Sequence, residues 1–290
     1  MPYDMPLYRP PSEADSLILQ VTLGCSHNKC TFCSMYKAKK FRILTVQELE
    51  KHLNWAKEYY PKARRIFLAD GNVLVMKTEK LKNIVEGLYR DFPNLERVTA
   101  YAGPRDILEK SMEELKKLHS SGIAMLYLGI ESGSAQILKD INKGVTPEEM
   151  IEAGQKARKA GFKLSCTIIL GLGGTELWRE HAYETARVIN AIQPEYLGAL
   201  TLMVEENTPL IRKIKNKEFQ LLRPLEIIDE LREMISNFQL ENCIFRSNHA
   251  SNYLALKGTL NKDKDKLLFT LNEAKKLGEK VFRPEGWRGF

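Results

Sequence analysis

Short runs of β-branched and apolar residues alternate along the chain with longer segments in which apolar positions recur every three or four residues. The short runs predict strands and the longer segments predict helices, an alternation typical of a parallel sheet wrapped by helices. Strands are expected at residues 16–23, 65–69, 97–101, 125–130, 164–170 and 195–202. Helices are expected at residues 46–60, 78–89, 111–120, 147–160 and 175–191.

After the sixth strand the pattern changes, which predicts a terminal extension with a helix at 225–238, a strand at 243–246, a polar loop at 247–253 and a helix at 262–277. Six parallel strands suit either a doubly wound sheet or an incomplete barrel, and periodicity does not decide between them. In both architectures ligands bind at the carboxyl ends of the strands. Candidate site segments are therefore sought where strands end.

Composition narrows the class of protein. The 290 residues are 43% hydrophobic and 28% charged, which is ordinary for a globular protein and excludes a disordered chain, a collagen and a coiled coil. No apolar stretch reaches the length of about 18 residues that a membrane span requires, and the first residues lack a signal-peptide pattern, so we expect a cytoplasmic protein without membrane contact. The net charge of +7 is compatible with an anionic partner without indicating nucleic acid.

Three of the five cysteines, Cys25, Cys30 and Cys33, lie within nine residues directly after the first strand. This clustering indicates a metal site in a reducing compartment rather than a disulfide framework. The residues alone are compatible with three kinds of metal site. His27 would complete a zinc site, one of the two later cysteines would complete a plant-type two-iron cluster, and the three thiolates alone would hold a four-iron cluster with one open iron.

The cysteine loop also carries an aromatic residue, Phe32, immediately before its last cysteine. With the segments 70–72, 129–134 and 168–174 at later strand ends, this loop resembles the radical S-adenosylmethionine (SAM) superfamily, in the branch of the coproporphyrinogen dehydrogenases and methylthiotransferases. The first gap is one residue longer than the commonest spacing of that superfamily. The resemblance implies a partial (β/α)6 TIM-like barrel over residues 1–210, and we expect an α/β extension over residues 211–290 that packs on it.

The resemblance further implies the cofactors and the reaction. Cys25, Cys30 and Cys33 would hold a [4Fe–4S] cluster whose open iron chelates the amino and carboxylate groups of SAM. SAM would be cleaved reductively, and hydrogen would be abstracted from a small or medium substrate. The electron would come from a flavodoxin or ferredoxin-type reductant. The reaction subclass and the catalytic residues stay open, and the alternative is an iron–sulfur electron-transfer or cofactor-delivery protein without radical chemistry.

Contacts to the cofactors follow from the same resemblance. The loop after the second strand would meet the SAM amino group through its backbone, Glu131 and Ser132 would face the ribose and methionyl parts, and Lys143 would bind the carboxylate. The fifth-strand glycine would pack against adenine. A solvated carboxylate or lysine is the alternative at Glu131 and Lys143. The expected contact residues are Phe32, Asp70, Gly71, Asn72, Glu131, Ser132, Lys143, Gly171 and Leu202.

Five polar residues are candidates for binding the substrate. Two follow the third strand, and three lie in the polar segment 245–253, which is expected to fold back over the barrel mouth unless it is a hydrogen-bonded loop without a ligand. These candidates are Tyr101, Arg105, Arg246, His249 and Asn252. Basic runs at 37–42 and 212–217 leave nucleic acid possible, but the absence of an RNA-binding module or aromatic platform does not favour it.

Overall fold

The computed structural model describes residues 3–289. The strands in this range are β1 (Leu17–Gln20), β2 (Thr22–Leu23), β3 (Arg42–Ile43), β4 (Arg65–Ala69), β5 (Arg97–Ala102), β6 (Ile123–Glu131), β7 (Lys163–Leu170), β8 (Tyr196–Thr201), β9 (Cys243–Arg246) and β10 (Lys257–Leu260). The α-helices are α1 (Val46–Tyr59), α2 (Thr78–Asp91), α3 (Pro104–Glu109), α4 (Met112–Ser120), α5 (Ala135–Asp140), α6 (Pro147–Lys159), α7 (Gly174–Ile192), α8 (Pro209–Lys215), α9 (Pro224–Asn237) and α10 (Lys264–Leu277).

The first predicted strand is interrupted at Val21. Its backbone N–H donates to Ala69 at the end of β4, while its carbonyl accepts from Leu44 beyond β3. The chain therefore changes partner at this residue, from the parallel pairing of β1 with β4 to the antiparallel pairing of β2 with β3. The loop that connects β2 to β3 carries the three cysteines.

Contacts divide the chain into two compact units. The first contains the residues through Asn28, Cys33–Leu128 and Lys156–Leu164, and the second contains Lys29–Phe32, Gly129–Gln155 and the residues from Ser165 onward. The predicted domain boundary at residue 210 stays a prediction.

In the first unit, β1, β4, β5 and the start of β6 are hydrogen-bonded in that order, all parallel. The central strand β4 is apolar after its first residue, and Ile66, Phe67 and Leu68 are fully buried. A parallel strand covered on both faces requires such an unbroken apolar run. Helix α1 begins at a capping box formed by Thr45 and Glu48.

In the second unit, β7, β8 and β9 are parallel, and β10 pairs antiparallel with β9. Strand β9 pairs with β8 in the register of Ile244 with Tyr196. The terminal extension therefore continues the parallel arrangement of this unit, and α7 and α9 pack together beside it. The predicted combination of parallel strands with connecting helices is confirmed. Among the described residues no helix has the length and hydropathy of a membrane span.

Candidate functional site

The cysteine loop, residues 24–41, connects β2 to β3. Its three thiols are partly exposed, and the chain turns at Gly24 and Asn28, both of which have positive φ angles. The Asn28 backbone N–H donates to the sulfur of Cys25 at 3.4 Å. None of the five cysteines forms a disulfide. Across residues 3–289, no three His, Cys, Asp or Glu side chains are grouped at metal-ligand spacing.

Asp70 holds the two ends of the cysteine loop together. Its carboxylate is fully buried and accepts from the Gly24 backbone N–H at 3.0 Å and from Lys39 Nζ at 2.9 Å. The second oxygen accepts from Gln20 Nε2 at 3.0 Å. Because both of its oxygens are engaged in this way, the Asp70 side chain supports the loop.

The two residues after Asp70 touch the start of the loop. A Cβ atom on Gly71 would lie 3.1 Å from Cβ of Cys25, so a larger residue there would have to shift the start of the cysteine loop by a few tenths of an ångström. The Asn72 amide donates to Ser26 Oγ at 3.0 Å and to the carboxylate of Asp106. Burial raises the pKa of Asp106. The structure thus places the predicted segment 70–72 against the cysteine loop.

The tip of the loop, Lys29–Phe32, belongs to the second unit and is hydrogen-bonded to other residues of that unit. The Thr31 N–H donates to the Ile141 carbonyl at 2.9 Å, and the Thr31 carbonyl accepts from the Leu210 N–H at 3.0 Å. Phe32 packs against an apolar cluster that includes Leu202. Two of the predicted contact residues, Phe32 and Leu202, therefore lie in one cluster.

At the end of β6, Glu131 and Lys143 form an ion pair with 2.9 Å between carboxylate and ammonium. Their side chains are only 14% and 12% exposed, respectively. Glu131 has a left-handed backbone with φ of 64°, which folds its side chain back over Gly129. A side chain at Gly129 would therefore have to displace the Glu131 carboxylate from its present position. Both residues are site candidates from the sequence, and the structure joins them.

Ser132 is fully buried, and its hydroxyl lies 2.8 Å from His181 Nδ1 on α7. The hydroxyl also accepts from the Ser134 N–H at 3.1 Å. The other imidazole nitrogen of His181 is 3.0 Å from the Ile169 carbonyl. Burial lowers the pKa of His181 to about 4, so the imidazole is neutral at pH 7. We infer that Nε2–H donates to Ile169, which leaves Nδ1 to accept from Ser132.

Gly171 ends β7 with a φ of 86°, and its N–H donates to Glu230 Oε2 at 2.6 Å. Glu230 lies on α9, is fully buried, and its other carboxylate oxygen has no partner among the described residues. Burial raises its pKa to about 8. The following residues, Leu172–Leu177, line a cavity of ≈ 100 Å³ that also touches Thr31.

The substrate candidates of the first unit lie at the end of β5. The Tyr101 ring contacts Phe67 and Tyr127 edge-on, with centroids 5.0 and 6.0 Å away. Arg105 is exposed on α3.

The remaining substrate candidates lie in the second unit. Asn252 accepts from Thr201 Oγ1 and donates to the Ala199 carbonyl, both at 2.9 Å, which attaches the polar segment to the carboxyl end of β8. The His249 imidazole is hydrogen-bonded to Ser251, and burial lowers its pKa. Arg246 instead donates to carbonyls of β9 and β10.

The sequence pattern does not identify several hydrogen-bond partners of the candidate residues, because each partner is distant along the chain. Lys39 meets Asp70 across 31 residues, His181 meets Ser132 across 49, and Glu230 meets Gly171 across 59. A charged or polar residue at an otherwise apolar position is the available signal, as for Glu230 among the buried residues of α9.

More than half of the chain matches a known protein family. The profile of the Radical SAM superfamily matches residues 19–186. The chain is 28% identical over 172 residues to 4'-phospho-dehydrooxetanocin synthase of Priestia megaterium, covering 53% of this chain and 23% of that protein. It is 25% identical over 225 residues to the heme chaperone HemW of Bacillus subtilis, covering 73% and 56%. The chain thus spans about a quarter and about half of the lengths of these two curated relatives.

A solved structure confirms the fold class. Coproporphyrinogen III oxidase (HemN) from Escherichia coli, described as a radical SAM enzyme, superposes with a TM-score of 0.56 at 18% sequence identity. The match covers 76% of this chain and 51% of that one. At this identity the similarity shows the fold alone, and it confirms the predicted TIM-like α/β class.

Proposed function

Since this chain belongs to the radical SAM superfamily, whose enzymes use a [4Fe–4S] cluster and SAM, we propose that Cys25, Cys30 and Cys33 hold that cluster. We propose further that the enzyme cleaves SAM reductively and abstracts hydrogen from a small or medium organic substrate. The observation that carries this proposal is the cysteine loop itself, which lies inside the matched range 19–186 and joins β2 to β3.

The donor set fits an iron–sulfur cluster. Thiolates are the ligands that such clusters select, and these three thiols are partly exposed in one loop. The loop is held at its ends by Asp70 and at its tip by Thr31. Its side chains do not themselves have metal-ligand spacing among the described residues, and we expect the final approach of the sulfurs to accompany cluster binding, since metal binding orders its ligands.

When held by Cys25, Cys30 and Cys33, the cluster would supply the electron for the reductive cleavage of SAM, on which the proposed hydrogen abstraction depends. The residues of the chain position these groups and exclude water. We propose that Lys143 binds the SAM carboxylate while its pair with Glu131 keeps both side chains in place. The Gly171 turn and the cavity beside Leu172 are proposed to receive adenine.

Enzymes of this superfamily need a reductant and a substrate. We propose a flavodoxin or ferredoxin-type reductant, because the chain carries a net charge of +7 and such carriers are acidic. We propose that the polar segment with His249 and Asn252 borders the substrate, because Asn252 attaches it to the carboxyl end of β8.

The test is an anaerobic reconstitution with iron and sulfide, followed by reduction with dithionite and addition of SAM. We expect 5′-deoxyadenosine and methionine, detected by mass spectrometry. Cys30→Ala should abolish the product, whereas Cys243→Ala, at a buried cysteine of β9, should retain it. A Cys30→Ala protein with wild-type product formation would refute the assigned ligation, and tightly bound zinc without a cluster would refute the function.

The similarity to a heme chaperone favours a second candidate, cofactor delivery without radical chemistry. Heme titration followed by transfer to an apo-hemoprotein distinguishes the two. Stoichiometric heme transfer together with no SAM cleavage would support this second candidate. SAM cleavage without heme binding would support the first.

A further inference from the structure

Tyr36 is a buried phenol beside the cysteine loop whose role the superfamily motifs do not cover. It follows Cys33 by three residues, and the residue is only 4% exposed. Its hydroxyl is buried and has no hydrogen-bond partner among the described residues. A buried hydroxyl without a partner lowers the stability of the fold by about 1–3 kcal/mol, so its presence here needs an explanation.

The ring of Tyr36 lies against Gly71 and Cys25. A Cβ atom placed on Gly71 would be 3.0 Å from Cε2 of Tyr36 and 3.1 Å from Cβ of Cys25. Cε2 is bonded to the carbon that carries the hydroxyl. The hydroxyl end of the ring and the first cysteine therefore meet at the same glycine.

The Tyr36 hydroxyl is available as a hydrogen-bond donor. The pKa of a tyrosine phenol is about 10, so the hydroxyl keeps its proton at neutral pH. The nearby Asp70 carboxylate already accepts from Gln20, Gly24 and Lys39, which leaves cysteine sulfur as the acceptor that a bound cluster would bring.

The ring is held in one orientation. Tyr8 packs edge-on against it with centroids 5.5 Å apart, and Lys39 Nζ lies 5.8 Å from the ring centroid. The Tyr36 carbonyl accepts from Asn28 Nδ2 at 2.8 Å. Asn28 also donates its N–H to the Cys25 sulfur. The loop therefore already directs one donor at this sulfur, and Tyr36 is placed to supply another.

We propose that the Tyr36 hydroxyl donates a hydrogen bond to the Cys25 sulfur of the cluster and thereby raises the reduction potential of the cluster. This inference rests on the proposed function, because it requires the cluster. Hydrogen bonds to cluster sulfurs withdraw negative charge and favour the reduced state, which carries one more electron. Tyr36 is thus a positioning and tuning residue that acts through Cys25.

The test compares wild type, Tyr36→Phe and Tyr8→Phe after reconstitution. At a fixed electrode potential, Tyr36→Phe should lower the ratio of reduced to oxidised cluster roughly tenfold, which is about 59 mV for one electron. Tyr8→Phe alters a ring that packs on Tyr36 and leaves the Tyr36 hydroxyl in place, so its ratio should stay at the wild-type value. An exchangeable proton coupled to the reduced cluster should disappear in Tyr36→Phe alone.

The apoproteins supply a second readout. Because the hydroxyl has no partner within the described protein, Tyr36→Phe should unfold at the same urea concentration as wild type or a higher one. A destabilised apoprotein with an unchanged cluster potential would assign the hydroxyl a structural role and overturn the inference. If the wild type cleaves SAM and both variants have the wild-type cluster potential, the proposed role of Tyr36 is overturned and the proposed function is not. A wild type that binds no four-iron cluster overturns this inference and the proposed function together.

Discussion

An ion pair joins Glu131 and Lys143 at the end of β6. At the residue scale, substitution of Lys143 is the most direct test of the proposed SAM binding. Lys143→Met leaves Glu131 as an unpaired, largely buried charge. We expect the free energy of unfolding to fall by about 1–3 kcal/mol and the Kd for SAM to rise roughly tenfold or more.

Urea unfolding and calorimetric titration of the reconstituted enzyme with SAM measure the two effects of Lys143→Met. Lys139→Met, at an exposed position of α5, is the matched control and should change neither quantity much. If the Lys143→Met enzyme binds SAM as tightly as wild type, Lys143 does not bind the SAM carboxylate.

Glu230 makes stability depend on pH. Its pKa is 4.5 in the unfolded chain and about 8 when buried, so the folded state holds the proton more tightly. The free energy of unfolding should therefore decrease as the pH rises from about 5 to 8, because the unfolded state has already lost the proton. This contribution is on the order of 3 kcal/mol.

Glu230→Gln keeps an acceptor for the Gly171 N–H and removes the titration. We expect the stability of this variant, relative to wild type, to increase between pH 5 and pH 8 in urea titrations. Glu233→Gln, at a partly exposed position of the same helix, should follow the wild-type curve. Parallel curves for wild type and Glu230→Gln would show that burial leaves the carboxyl ionised.

At the scale of elements, the cysteine loop depends on the clamp formed by Asp70, Gly24 and Lys39. Asp70→Ala would leave the buried Lys39 ammonium without its buried carboxylate partner, and we expect the free energy of unfolding to fall by about 3–5 kcal/mol. Hydrogen exchange should accelerate at residues 24–41. Asp4→Ala is the matched control, because Asp4 pairs with the same lysine but is 51% exposed, and its loss should cost about 1 kcal/mol or less. Equal losses in the two variants would contradict the clamp.

The elements themselves were predictable where a long apolar period or a cap marked them. The boundaries of α1 and α6 agree with the sequence to within one residue, and β4 agrees at both ends. The helices α3 and α5 contain six residues each, too few for a helical period to show, so the sequence pattern does not predict them. Strand β9 was expected, but its pairing with β8 joins segments about 48 residues apart and leaves no local signal.

The site was predictable to a lesser degree than the elements. Motif positions identified Glu131 and Lys143, which the structure joins, and placed segment 70–72 beside the loop. Motifs give no information about hydrogen-bond partners, however. That Asp70 and Ser132 are buried against Lys39 and His181 follows from tertiary packing alone.

At the scale of the whole molecule, the net positive charge allows a test of the proposed acidic reductant. With a net charge of +7, reduction by an acidic flavodoxin should slow about tenfold as NaCl rises from about 0.05 to 0.5 M, because salt screens the attraction. Stopped-flow absorbance of the cluster measures this rate, and photoreduced deazaflavin serves as a non-protein control. A flavodoxin rate independent of salt would exclude electrostatic steering of the partner.

The central claim is that three cysteines hold a four-iron cluster whose remaining iron binds SAM. The most direct measurement is electron–nuclear double resonance of the reduced, reconstituted enzyme with SAM labelled by ¹⁵N in its amino group and ¹⁷O in its carboxylate. We predict that both nuclei couple to the cluster. A spectrum unchanged by the labelled SAM would contradict the account, because it would mean that no iron of the cluster is open to SAM.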